Sequence, residues 1–158
     1  MISAKLIHQI EDHWESIAAR ALRRIRSCAD LPHLKAMPES DLQIISQRTL
    51  QNLSHWLHNN PDKEIAARYE ELGRQRFKDG MMLCEAVRGL QLMKDSTLDY
   101  IRDESFRSTS MEILAEGELE LQLGRFFDLL VFHLVRGYED EIRRGLAAAA
   151  KSMAGAGR

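Results

Sequence analysis

Apolar residues recur three and four positions apart over most of the chain, and this spacing predicts helices throughout. Leu6, Ile10, Trp14, Ile17, Ala18, Ala21, Leu22 and Ile25 form one stripe, which predicts a first helix from Ser3 to Cys28. Arg20, Arg23, Arg24 and Arg26 crowd its C-terminal end, where cations suit the helix dipole. Pro32 and Pro38 then break the chain into a loop. A second helix starts near Ser40, with Ser40 and Gln43 at capping-box spacing, and carries Leu42, Ile45, Thr49, Leu53, Trp56 and Leu57. Asn60 is placed to cap a third helix with Pro61 at its first position. That helix sets Ile65, Ala66, Tyr69, Leu72, Gly73, Arg76 and Phe77 on one side and ends at Asp79-Gly80. A fourth presents Met82, Leu83, Ala86, Val87, Leu90, Met93, Leu98 and Ile101.

After a second loop, Thr109 and Glu112 form a capping box that opens a long last helix, from Ser110 to Ala150. Gly117 and Gly124 are the points at which it is expected to break, since each glycine costs a helix interior about 1 kcal/mol. Residues 1–150 read as a single helical domain, and the small, polar residues 151–158 as a flexible tail or the start of a linker. The expected fold is all-α, a bundle or globin-like packing of five to six helices with a long C-terminal helix.

Composition agrees. The chain has 158 residues, enough for one domain with a real core. Leu (21) and Ala (16) are abundant while Val and Thr occur three times each, which disfavours sheets. A net charge of −2 gives no overall reason to bind nucleic acid. Two cysteines, Cys28 and Cys84, make no disulfide framework and suit a reducing compartment. The N-terminus has no apolar signal core, and the most apolar run, Phe126 to Val135, is half the length needed to cross a bilayer. A soluble, cytoplasmic protein is expected, without a membrane partner. No phosphate loop or nucleophile elbow occurs, so no enzyme and no catalytic residues are expected.

The run FFDLLVFHLV is the most informative segment. Eight of its ten residues are apolar and point in every direction around a helix. Such a helix must be covered on all sides, either as the centre of its domain or by its own core on one side and a second subunit on the other. Enclosure is hard to arrange in so small a domain, which favours a homodimer. Phe126, Phe127, Val131, Phe132, Val135 and Tyr138 are the expected interface, with Arg136 and Glu139 at its polar rim.

The candidate chemistry is sparse. His55 and His58 are close enough to share a metal, yet they sit at a helix end without further spaced ligands, and no metal or cofactor is expected. His133 lies in the apolar run, where a haem's axial histidine would, although a histidine there is more often structural. Met82, Met93, Leu130 and His133 mark an expected ligand cavity. Cys84 reads as a small core residue. Arg68, Arg74, Arg76 and Lys78 with their acidic neighbours, and the series Glu116, Glu118, Glu120, read as solvated helix surface. Gly73, Gly80 and Gly89 read as sites of close helix approach.

Two segments, residues 68–94 and 126–143, together with the Trp14 region, resemble the N-terminal sensor domain of RsbRD-type co-antagonists of bacterial stressosomes. Similar domains precede histidine kinases. The matching features are Gly73 and Gly80 around a basic helix turn, Glu85 and Arg88 one turn later, and the run from Phe127-Asp128 to Gly137-Tyr138-Glu139. The resemblance implies a globin-related fold without haem. It also implies a homodimer whose last helices meet and pass signals to a C-terminal output domain. The sequence ends at Arg158 with no such domain behind it. The expectation is therefore either an excised domain or a stand-alone chain acting through a partner. Non-catalytic signal transduction by dimerisation is the leading expectation. A haem-binding gas sensor or redox protein using His133 and a stand-alone interaction adaptor are the alternatives.

Overall fold

The computed structural model describes residues 2–59, 61–104 and 109–157, with side chains from Ala4 onward. Among the described residues all regular structure is helical: α1 (Ile2–Asp12), α2 (Trp14–Ser27), α3 (Pro32–Ala36), α4 (Glu39–Leu50), α5 (Leu53–His58), α6 (Asp62–Lys78), α7 (Leu83–Glu104) and α8 (Ser110–Ala156). The fold is all-α with a long C-terminal helix.

Among the described residues eight helices stand where five to six were expected, because two long stripes are interrupted and the expected first loop holds a short helix of its own. The first breaks at His13, whose φ of −113° and ψ of 25° leave the helical region. Its ring Nδ1 donates to the Gln9 carbonyl at 2.9 Å, a local bond that competes with the helix ladder. The second breaks between α4 and α5 at Asn52, a residue of low helix propensity, with φ −114° and ψ 30°. Between the two prolines, Pro32 opens the short α3 at its first turn. Helix α4 begins behind Pro38 without a side-chain cap, so the Ser40–Gln43 box does not form. Pro61 flanks α6 from outside, and Asn60, the expected cap, lies outside the described residues.

The last helix behaves oppositely. The Thr109 hydroxyl accepts from the Glu112 N–H at 3.2 Å and the Glu112 carboxylate accepts from the Thr109 N–H at 3.0 Å. From this box α8 runs unbroken through 47 residues, past Gly117 and Gly124 and through most of the expected tail. At about 1.5 Å per residue it is about 70 Å long. Leu119, Leu123, Phe126, Phe127, Leu130 and Leu134 keep one face buried on both sides of Gly124, so packing overrides the glycine's cost.

Helix α8 packs most extensively on α6, then on α7, and also meets α1, while α2 packs on α7 and α4. One continuous core fills the space between these elements. Arg20 pairs with Asp103 at 2.6 Å and Arg24 with Asp99, fastening the basic end of α2 along α7.

Candidate functional site

The chain's most constrained contact is the crossing of α6 and α8. A β-carbon on Gly73 would lie 2.0 Å from the Leu134 carbonyl oxygen, and one on Gly137 1.9 Å from that of Glu70. The two backbones therefore touch directly, as only glycine allows. Polar contacts surround this point. The Glu70 carboxylate lies 3.3 Å from Arg136 Nε, and Arg74 reaches Asp140 at 3.6 Å. The Tyr138 hydroxyl donates to the Met81 carbonyl at 3.1 Å, and its ring meets Phe77 edge-on. Of the glycines expected at close approaches, Gly73 is one. Gly80 instead makes the turn after α6, with φ +75°, and Gly89 has only ordinary contact with Leu34. Gly137, the partner of Gly73, stood in the sequence only among the features that carry the family resemblance.

Beside the crossing, between α2, α4, α6 and α7, lies an apolar slot of about 50 Å³. Ala21, Ile25, Leu34, Met81, Met93 and Leu134 are among its walls, and Arg76 is the cation in them. The run of charges on α6 reads as solvated surface in the sequence, but Arg76 is buried, 9% exposed. Its nearest partner is the half-exposed Asp79, at 3.5 Å. Burial pulls its guanidinium below the ordinary arginine range, against the field of Asp79.

Of Met82, Met93, Leu130 and His133, the residues of the expected ligand cavity, Met93 lines this slot. Met82 points outward, 54% exposed, and the slot takes Met81 instead. Leu130 is core, and His133 borders none of the principal clefts. His133 is buried with Nδ1 3.9 Å from Glu70, and its ring meets Phe132 edge-on. His55 pairs with Glu64 and His58 donates to the Ser54 carbonyl, so the two rings serve different partners. No group of three His, Cys, Asp or Glu side chains is placed to hold a metal ion among the described residues. Cys84 is exposed rather than core, and Glu116 is buried rather than solvated.

The expected interface splits. Phe126 and Phe127 are covered by their own subunit, 6% and 1% exposed, so both belong to the core. The reason is that α6, α7 and α1 all lie against α8, enclosing more of it than so short a chain suggests. Val131, Val135 and Tyr138 are half-buried, and Phe132 stands out at 56% exposed. From Phe132 the steps along α8 alternate three and four, through Val135, Glu139, Ile142, Leu146 and Ala149 to Met153. All seven are exposed or half-buried. Leu114 and Leu121, also exposed, lie on the same face at heptad spacing from Val135. The spacing is that of a two-helix seam.

A family model, the RsbT co-antagonist protein rsbRD N-terminal domain, matches residues 15–153. The chain belongs to this family. The match runs from the start of α2 nearly to the end of α8 and so takes in the crossing, the slot and the seam. No curated protein and no solved structure matches the chain. The RsbRD N-terminal domain is a regulatory domain of stressosome-related signalling. No helix described in this RsbRD domain is long and apolar enough to cross a membrane.

One polar group among the features that carry the resemblance is structural. Glu85, 1% exposed, accepts from the His33 and Leu34 N–H groups at 2.9 and 3.0 Å, with His33 Nδ1 2.9 Å from its other oxygen. It ties the start of α3 to α7. Glu85 stands in the segment that carries the family resemblance, which was the one signal available for it.

Proposed function

We propose that this RsbRD N-terminal domain is a non-catalytic, cytoplasmic sensory module that forms a homodimer and passes a stimulus along its paired α8 helices. The observation that carries this is the seam from Phe132 to Met153. It is an alternating three-four series, largely apolar, on the exposed face of a helix that outruns its own bundle. Isolated helical extensions gain most of their stability from a packed face, and a second copy of α8 offers the same face in matching register. Phe132, Val135, Ile142 and Leu146 are the proposed contacts, with Glu139 as the polar position.

Residues 1–150 form the sensing unit in this reading, a globin-like packing, and the end of α8 beyond it begins a connector toward an output domain or partner chain. The crossing at Gly73 and Gly137 is where a change inside the bundle reaches α8. A close-packed contact of two backbones transmits displacement with little slack.

Cysteine at position 146, in a Cys28→Ser, Cys84→Ser background, tests the arrangement. Parallel paired helices bring the two thiols together, and mild oxidation then gives a cross-linked dimer in high yield. A cross-link no faster than that of cysteine placed at Arg143 contradicts it.

A further inference from the structure

We infer that Arg125 and Asp128 form a charged layer where two copies of α8 meet, each arginine paired with the partner's Asp128, and that this layer fixes the register of the two helices. The inference rests on the dimer reading above and adds the contact that selects the alignment.

The three-four series does not stop at Phe132. Followed toward the N-terminus it passes through Asp128, Arg125, Leu121, Glu118 and Leu114 to Met111, and all six are exposed. Leu119, Leu123, Phe126, Phe127 and Leu130 lie between them in the chain and are buried. The series therefore runs along the side of α8 that faces away from its own core. Met111, Leu114, Leu121 and Phe132 are large apolar side chains that their own subunit leaves in solvent.

Four positions of this longer seam are charged, namely Glu118, Arg125, Asp128 and Glu139, and Arg125 is the cation among them. Glu139 has Arg143 of its own helix at 3.9 Å. Among the described residues Arg125 and Asp128 pair with no opposite charge, neither with each other three positions apart nor with a neighbouring helix. Lys94 of α7 borders the same cleft as Asp128 without an ion pair to it. Two opposite charges thus stand side by side and unpaired, with Leu121 and Phe132 as the apolar seam positions on either side.

A second copy satisfies both charges. In parallel helices at equal register, a side chain at a seam position enters a gap between facing residues of the partner, one of which is three positions further on. Arg125 thereby reaches the partner's Asp128, and the two-fold symmetry makes the pair twice. Flanked by Leu121 and Phe132, these pairs are less screened than pairs in open solvent. A shift of one heptad sets one of the two arginines against the partner's Phe132 and Val135, a cation among apolar side chains, and so is disfavoured.

Arg125→Glu and Asp128→Lys test the layer in the full chain, with native mass spectrometry to count each dimer and circular dichroism to confirm folding. Either variant alone puts like charges across the seam, and its homodimer should be at least tenfold weaker than that of the wild type. Mixed in equal amounts, one chain carries only negative and the other only positive charge in the layer. The heterodimer should then exceed either homodimer at least tenfold. The two substitutions combined in one chain should restore the wild-type affinity. Should a single variant lose its helical signal, this double reversal decides: a restored dimer supports the layer and a monomer overturns it. Single variants that dimerise as tightly as the wild type, or a statistical mixture of the three dimers, overturn the layer and leave the dimer reading standing. A monomeric wild type overturns both.

Discussion

Gly73 and Gly137 interlock across the α6–α8 crossing, each lying against a backbone carbonyl of the opposite helix at the place where the other's neighbours pass. A single methyl at either position forces the helices apart. Gly137→Ala or Gly73→Ala should destabilise the fold by about 1–3 kcal/mol despite alanine's better helix propensity. Gly145, with nothing within 4 Å of a built β-carbon, is the control. Gly145→Ala should gain up to about 1 kcal/mol. Urea unfolding followed by circular dichroism checks all three.

Glu85 serves two backbone N–H groups that have no helical partner of their own at the start of α3. Glu85→Ala should cost about 1–3 kcal/mol, since the donors are left without an acceptor in a part-buried place. Glu85→Gln keeps one acceptor oxygen and should fall between. The same unfolding measurement resolves the order.

Tyr69 predicts an alkaline limit. Its hydroxyl lies 2.5 Å from the Thr49 hydroxyl inside the core, and burial pushes its pKa up to about 12. An unfolded tyrosine ionises near 10, so the unfolded chain releases its proton first as pH rises. Stability is therefore full below pH 10 and is lost as pH climbs toward 12, by about 2–3 kcal/mol. Tyr69→Phe should lose less stability than the wild type over that range in parallel melts at pH 9, 10 and 11. Equal losses contradict the assignment.

Much of the architecture was legible because periodicity reports burial: the inward stripes of α2, α6 and α8 and the Thr109–Glu112 cap follow from spacing alone. The breaks at His13 and Asn52 were not, since they turn on a local side-chain bond and on weak propensity within otherwise continuous stripes. Glycine in a helix carries opposite meanings. Gly117 and Gly124 merely lie in the open, while Gly137 touches another backbone, and a single sequence distinguishes neither. The apolar run around Phe132 signalled that α8 needs covering on every side. It could not apportion the covering, because that depends on where α1, α6 and α7 come to rest. Arg76 sits in both an apolar stripe and a charged run, and only the packing decides which governs.

The dimer is tested most directly by molar mass from light scattering at micromolar concentration. The wild type should run at twice the 18.2 kDa of one chain. Phe132→Glu combined with Leu146→Glu, both at exposed seam positions, should run at 18.2 kDa with its bundle still helical. A monomeric wild type, or a double variant that remains dimeric, would contradict pairing through α8.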